Sequence, residues 1–263
     1  MPFHTAAWWQ SVNPAGVFVS LTPIADPILT VLNPNIQVPI LDRVVAIAGG
    51  VETTAAQQAR LTAPSRRILV LQRVSPLQGN AAAGSLPADP QHVVDHRLDP
   101  LPMVRGEQMT FDINSAPAAP QAQWGIIWLA DKEIPSINGA IFTARATGAV
   151  ALVVGAWTNM AIAFAEALPR GRYQVVGFRA QSANMVAARL VFVGGVQGAA
   201  WRPGVLATNT DRHLENPMFR WGNFGVFGEF EDTDPHTVDA LGNAADAAQV
   251  YYLDLIQIRA GPG

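Results

Sequence analysis

The densest group of side chains able to do chemistry is the run GEFEDTDPH, which carries Glu229, Glu231, Asp232, Asp234 and His236. Carboxylate oxygens at this density could hold a hard cation such as calcium, which takes roughly six to eight oxygen ligands. Two of them could also serve as the acid and base pair of a glycoside hydrolase. The spacing is not that of a helix–loop–helix calcium site, however. Strand alternation would place Glu229 and Glu231 on one face and Phe230 on the other, leaving DTDP as an ordinary turn. Glu229, Glu231, Asp232 and Asp234 are therefore weak metal candidates, and no metal or other cofactor is expected.

Other chemistry is sparse. His92 and His96 stand four apart in QHVVDH and would share a face on a helix, but they follow Pro87 and Pro90 in a loop-like stretch with no third ligand nearby. His4, His213 and His236 are isolated and read as turn or surface residues. Lys132, the only lysine, lies between acids in ADKEIP and reads as a solvated loop residue. No G-x-S-x-G elbow, Gly-rich phosphate loop, G-x-G-x-x-G or H-E-x-x-H is present. With no cysteine, disulfides, thiolate metal sites and cysteine nucleophiles are all excluded. No catalytic residue is assigned, and the chain is not expected to be an enzyme. The aromatic side chains carry the better interface signal: Trp8 and Trp9 are adjacent, and Trp201 and Trp221 lie in AAWRPG and RWGNFG. Tryptophan and arginine are enriched at interface anchors, and exposed tryptophan also stacks on sugars. The plainer reading is that these rings plug the core.

The elements that would position these residues are mostly strands. Large apolar residues alternate with alanines in MAIAFAE (160–166), and YQVVGFRA (173–180) follows a turn at LPRGRY, so the two read as a hairpin. Further strand-like runs are VFVSLTPI (17–24), PILDRVVAIA (39–48), RILVLQRV (67–74), EQMTFDIN (107–114) and WGIIWLA (124–130). After them come AIFTARATG, GAVALVVGA, AARLVFVGG, FGVFGEFE and QVYYLDLIQIR (249–259). Helical pattern is confined to ETTAAQQARLTA (52–63), with Thr53 as cap and Pro64 as stop, and to a turn within TVDALGNAADAA (237–248). NSAPAAPQAQ (114–123) is small, uncharged and carries two prolines, which suits a connector. It divides the chain into 1–113 and 124–263. No fixed-period repeat is visible, which disfavours solenoids and propellers.

Composition narrows the class. Of 263 residues 49% are hydrophobic and only 14% charged, with a net charge of -3. An ordinary domain has roughly 25% charged residues, so much of this surface is small, uncharged or apolar, as in a subunit. Global disorder is excluded. The mildly acidic balance speaks against nucleic-acid binding, since Arg66 and Arg67 form the one adjacent basic pair outside strand alternation. MPFHTAAWWQ has no basic residue ahead of its apolar stretch and does not read as a secretory signal. The uncharged run 146–165 is broken by Gly148, Gly155 and Thr158-Asn159, so no membrane span is expected.

The layout LPRGRYQVVGFRAQSANMVAARLVFVGG, then WRPGV, NFGVFGEFE and the closing QVYYLDLIQI, resembles the jelly-roll major capsid proteins of tailless icosahedral viruses. The likeness is greatest to the double jelly-roll lineage of membrane-containing phages and adenovirus-like viruses. It is one of layout over the whole chain, without a diagnostic motif. The resemblance implies an all-β double jelly roll, two eight-stranded antiparallel β-sandwiches with one or two short helices; a single jelly roll with extended loops is the alternative. It also implies a coat protein forming homotrimeric capsomers and a higher lattice in the virion, made in the host cytoplasm. Minor capsid or spike proteins and an internal viral membrane would be its surroundings, and specific nucleic-acid binding is not expected. A carbohydrate-binding β-sandwich, lectin-like or receptor-binding, is the alternative function, resting on Trp201, Trp221 and the acidic segment.

Overall fold

The computed structural model describes residues 3–51, 58–67, 72–74, 93–131, 137–192, 201–208 and 216–261. Two units form, Thr5–Asp131 and Lys132–Gly263, with Phe3 and His4 belonging to the second. In the first, the strands are β1 (Phe3–Val12, which begins in the second unit), β2 (Phe18–Ser20), β3 (Val31–Leu32), β4 (Asn35–Gln37), β5 (Arg43–Val51) and β6 (Gln58–Thr62). A four-residue helix, Pro64–Arg67, is followed by β7 (Gln72–Val74), β8 (Val93–Asp95), β9 (Leu101–Pro102), β10 (Gln108–Asn114) and β11 (Gln121–Ala130). One sheet runs β1-β11-β5-β8; the other carries β2-β10-β6-β7, with the β3-β4 hairpin also on β10. With β3, β4 and β9 set aside as small additions, the principal strands lie in the orders 1-8-3-6 and 2-7-4-5.

The second unit repeats that order. Its strands are β12 (Phe142–Gly148), β13 (Trp157–Ala161), β14 (Ala163–Phe164), β15 (Gly171–Gln181), β16 (Met185–Phe192) and β17 (Gly204–Thr208), then β18 (Gly228–Glu231), β19 (His236–Gly242) and β20 (Gln249–Ala260). The sheets are β12-β20-β15-β18 and β13-β19-β16-β17, joined at one corner by a two-residue parallel contact of β15 with β17. With the short β14 set aside, this is again 1-8-3-6 and 2-7-4-5. Each unit is thus a complete jelly roll, so the chain forms the expected double jelly roll and not the single one given as the alternative.

The two sandwiches also repeat one another in side chains. In the first, Asp112 of β10 lies in register with Ser20 of β2 and Arg60 of β6, on the face opposite the core residues Phe111 and Ile113. Ser20 Oγ donates to Asp112 at 2.7 Å and Arg60 Nε at 2.8 Å, while the Arg60 guanidinium lies 4.1 Å from the Phe18 ring centre. In the second, Asp239 of β19 lies in register with Asn159 of β13 and Arg189 of β16. Asn159 Nδ2 and Arg189 Nε each donate to Asp239 at 2.9 Å, and the Arg189 guanidinium lies 4.2 Å over Trp157. In both sandwiches the ring stands two residues before the polar group on strand 2. Short identities mark the match: Ala-Arg-Leu at 59–61 and 188–190, and Thr-x-Asp at 110–112 and 237–239.

Several sequence expectations change. Segment 114–123 is not the domain boundary, which falls between Asp131 and Lys132. Its prolines turn the chain between β10 and β11 inside the first sandwich, where Asn13 Nδ2 donates to the Pro117 carbonyl and Ser115 Oγ to Gln123. The helix expected over 52–63 gives way, in its described part, to strand β6, whose Ala59 and Leu61 are buried against the core by period-2 alternation. The turn expected in 237–248 is strand β19 followed by a loop. Pairing with β10 and β16 overrides local helix preference in these stretches. MAIAFAE and YQVVGFRA do not form a hairpin: β13 joins β19, β14 joins β12, and β15 lies between β17 and β20. GAVALVVGA is largely a loop that leaves Val150, Val153 and Val154 exposed.

The repeated ion pairs differ in burial, and that difference predicts their worth. Arg189 is fully buried, whereas the Arg60 side chain is 25% exposed. Asp239, which also pairs with Arg202, carries two arginines, and Asp239→Ala is expected to cost about 3–5 kcal/mol. Asp112→Ala should cost roughly 1–2 kcal/mol, since Arg60 can turn to water. Denaturant unfolding of the two variants, followed by tryptophan fluorescence, checks the order.

Candidate functional site

The most elaborate polar construction outside the repeated pattern is built around Asp254. Alternation along β20 turns Leu253 and Leu255 into the core and Asp254 to the opposite face, yet Asp254 is 0% exposed. Four donors take up its oxygens: Arg220 Nε at 2.7 Å, Arg220 Nη2 at 3.0 Å, Thr143 Oγ1 at 2.7 Å and the Trp221 backbone N–H at 3.0 Å. Gly177 of β15, opposite Asp254 in register, has to be glycine here because a Cβ would strike the carboxylate. The strand positions Thr143 and Gly177; the segment between β17 and β18 delivers Arg220 and Trp221.

That segment is folded tightly in its described part, 216–227. Asn216 caps a 3₁₀ turn, Pro217–Phe219, by accepting from Met218 N–H at 3.0 Å. Phe224 packs on Phe3 and Phe219 with ring centres 4.9 and 5.3 Å apart, and Phe227 packs on Phe3 at 5.0 Å. Between these anchors Trp221 takes a left-handed backbone conformation, φ +48°, uncommon for a bulky residue. Its amide is held by Asp254, the Arg220 guanidinium lies 4.4 Å from its ring, and the indole is 54% exposed. Strained backbone of this kind persists only where the surroundings over-determine it, and it concentrates at functional positions. Aligning the strand starts Gln121 and Gln249 puts buried Ile126 of β11 where Asp254 stands, so the first sandwich lacks this construction.

Of the four tryptophans read as interface candidates, Trp221 is the one well exposed. Trp8 is core, 0% exposed with its ring 5.7 Å from Phe111, because adjacent residues on a strand point to opposite faces and the pair cannot share one surface. Trp9 is half-buried on the other face of β1. Trp201 is half-buried edge-on to His4 at 5.8 Å. His4 itself is buried, its Nδ1 accepting from Arg202 N–H at 2.9 Å, and is not a surface residue.

The acidic segment is arranged as the alternation foretold, with Phe230 buried between half-buried Glu229 and Glu231. Its carboxylates are engaged separately. Glu229 pairs with Arg172 of the neighbouring β15 at 2.7 Å, and Glu231 with Arg259 of β20, one strand further on, at 2.6 Å. Asp232 accepts from Gly171 N–H at 2.7 Å, and Asp234 from Glu231 N–H at 2.8 Å, closing the turn. Among the described residues no three acidic or histidine side chains converge to hold a metal. His96 follows strand β8 rather than lying on a helix; His92, Lys132 and His213 lie outside the described residues, as do the side chains of Arg66 and Arg67.

His236 is wedged edge-on between Phe164 at 4.9 Å and Phe230 at 4.7 Å. Burial pushes its pKa below the ordinary 6.5, against the pull of Asp234 and Asp232. Sequence reading did not find Asp254, Arg220, Asp239 or Arg189, since an acid in an apolar run such as YYLDLIQ signals only that a partner is needed, not which one.

Two outcomes follow. Asp254→Ala should destabilise the second sandwich by about 3–5 kcal/mol, the range for an ion left buried without its partner, read by denaturant unfolding. For His236 the unfolded state binds the proton more readily, so stability is full above pH 6.5 and falls as pH drops through 6.5 toward the lowered folded pKa. Asp112 also has a lowered pKa: burial works to raise it, but hydrogen bonds from Ser20, Arg60, Thr110 and Thr62 outweigh burial. Its stability loss therefore falls lower, in the carboxylate range. Thermal midpoints from pH 8 to pH 5 should decline in the native chain and flatten in His236→Phe.

No family model matches the chain, and no curated protein matches its sequence. Among solved structures, the major capsid protein P2 from bacteriophage PM2 matches with a TM-score of 0.26 and 10% identity, covering 96% of this chain and 97% of that one. A likeness this slight identifies neither the fold nor the role of the chain.

Proposed function

We propose that this chain is a structural, non-catalytic coat subunit that associates with itself into trimeric capsomers of a tailless icosahedral virus or phage, and so resides in the virion shell. The observation that carries the reading is the pair of complete jelly rolls on one chain, matched strand for strand and at four side chains. Jelly rolls serve viral coats, lectins and cupins alike, so the fold alone does not choose among them. The use of charge favours the coat. Asp112, Asp239 and Asp254 each spend their charge on an arginine of the same sandwich. Exposed apolar side chains remain, among them Val17, Ile40, Leu98, Val104, Val153 and Trp221. Obligate interfaces are more apolar than ordinary surfaces and reach roughly 2,000 Å² or more. Minor capsid or spike proteins would join such a lattice; among the described residues no helix is long and apolar enough to cross a membrane.

Light scattering on the purified chain at micromolar concentration tests the reading. A mass of three chains or a larger multiple is expected, and a stable monomer across the concentration range contradicts it.

A further inference from the structure

We propose that Asn138 is a modification site, where the folded chain converts asparagine to aspartate and isoaspartate through a cyclic imide without an enzyme. Asn138 is the only asparagine in the chain that is followed by glycine. Glycine has no Cβ to shield its backbone nitrogen, so that nitrogen can reach the preceding side chain. The Gly139 nitrogen attacks the Asn138 side-chain carbonyl carbon; a C–N bond forms, the bond from that carbon to Nδ2 breaks, and ammonia leaves with the proton given up by Gly139. Water then opens the ring at either carbonyl. One opening gives aspartate, and the other gives isoaspartate, in which the main chain runs through the former side chain.

The fold leaves the reacting groups open. Both residues are exposed and lie outside any strand, just before β12. Among the described residues neither the Asn138 side chain nor the Gly139 N–H makes a hydrogen bond, so none has to break before the attack. The glycine cannot be exchanged to remove the hazard: its φ is +140°, and a Cβ there would strike Ile256 of β20. Asn114, followed by the small Ser115, is the contrasting case. Asn114 is held in β10 between Phe18 of β2 and Gln58 of β6, and Ser115 is 2% exposed, so folding protects that pair. The product matters at position 138 because residues 137–144, INGAIFTA, carry no charge, and each conversion adds one carboxylate to a chain of net charge -3. Old and new copies of the chain therefore differ in charge at a surface position. The reaction needs no partner and does not depend on the coat reading.

The test incubates native and urea-unfolded chain at mildly alkaline pH and follows each asparagine over time by peptide mass spectrometry, with aspartate and isoaspartate separated by chromatography. Asn138 is expected to convert in the native chain within about tenfold of its unfolded rate, giving both products, while Asn114 is slowed about a hundredfold or more by folding. Asn138→Gln should abolish the acidic species that accumulates on ion exchange. Folding that slows conversion at Asn138 further than tenfold, or aspartate formed without isoaspartate, would overturn the proposal.

Discussion

A carboxylate buried out of reach of water has to be compensated, and in the second sandwich the arrangement of one whole face follows from satisfying Asp254. An isolated buried ion costs several kcal/mol, and one partner rarely suffices because each remaining lone pair also needs a donor. Arg220 supplies the opposite charge in a two-point contact, Thr143 supplies a hydroxyl from the neighbouring strand, and the Trp221 amide supplies the last donor. Each donor fixes its own element. Thr143 aligns β12, Gly177 clears the space from β15, and Arg220 with Trp221 draws the segment before β18 onto the sheet. The exposed indole is a product of this arrangement, since the hydrogen bond from the Trp221 amide N–H to Asp254 holds the residue in its left-handed conformation.

The same economy of charge runs through the molecule. Few residues are charged, and the best-buried carboxylates bind arginines of their own sandwich, Asp239 across adjacent strands and Asp254 from the segment before β18. Arg60 and Arg189 each do three things at once: they neutralise an aspartate, cover an aromatic ring and tie strand 4 to strand 7. Spending charge inside the sandwiches leaves an outer surface suited to contact with uncharged protein. Composition and the use of charge are what support the proposed role in assembly.

Alternation made much of this fold legible. β10 lies within a run whose period or apolar content already marked it, β11, β16 and β20 overlap such runs, and Glu229, Phe230 and Glu231 took the faces that alternation required. Where local preference and long-range pairing disagreed, sequence misled: the Ala-Gln-Arg-Leu stretch of β6 reads as helix until β10 pairs with it. Trp8 and Trp9 looked like a surface pair only while their strand was unrecognised. The repeat was hidden because its marks are three-residue fragments, Ala-Arg-Leu and Thr-x-Asp, with Arg and Asp 52 residues apart in one copy and 50 in the other. Arg220 and Asp254 are separated by 34 residues, and only the folded chain brings them together.

Electron cryo-microscopy of particles assembled from the purified chain tests the central claim most directly. Closed shells are predicted, with density for two eight-stranded sandwiches per chain. Dispersed single chains under every assembly condition would contradict it.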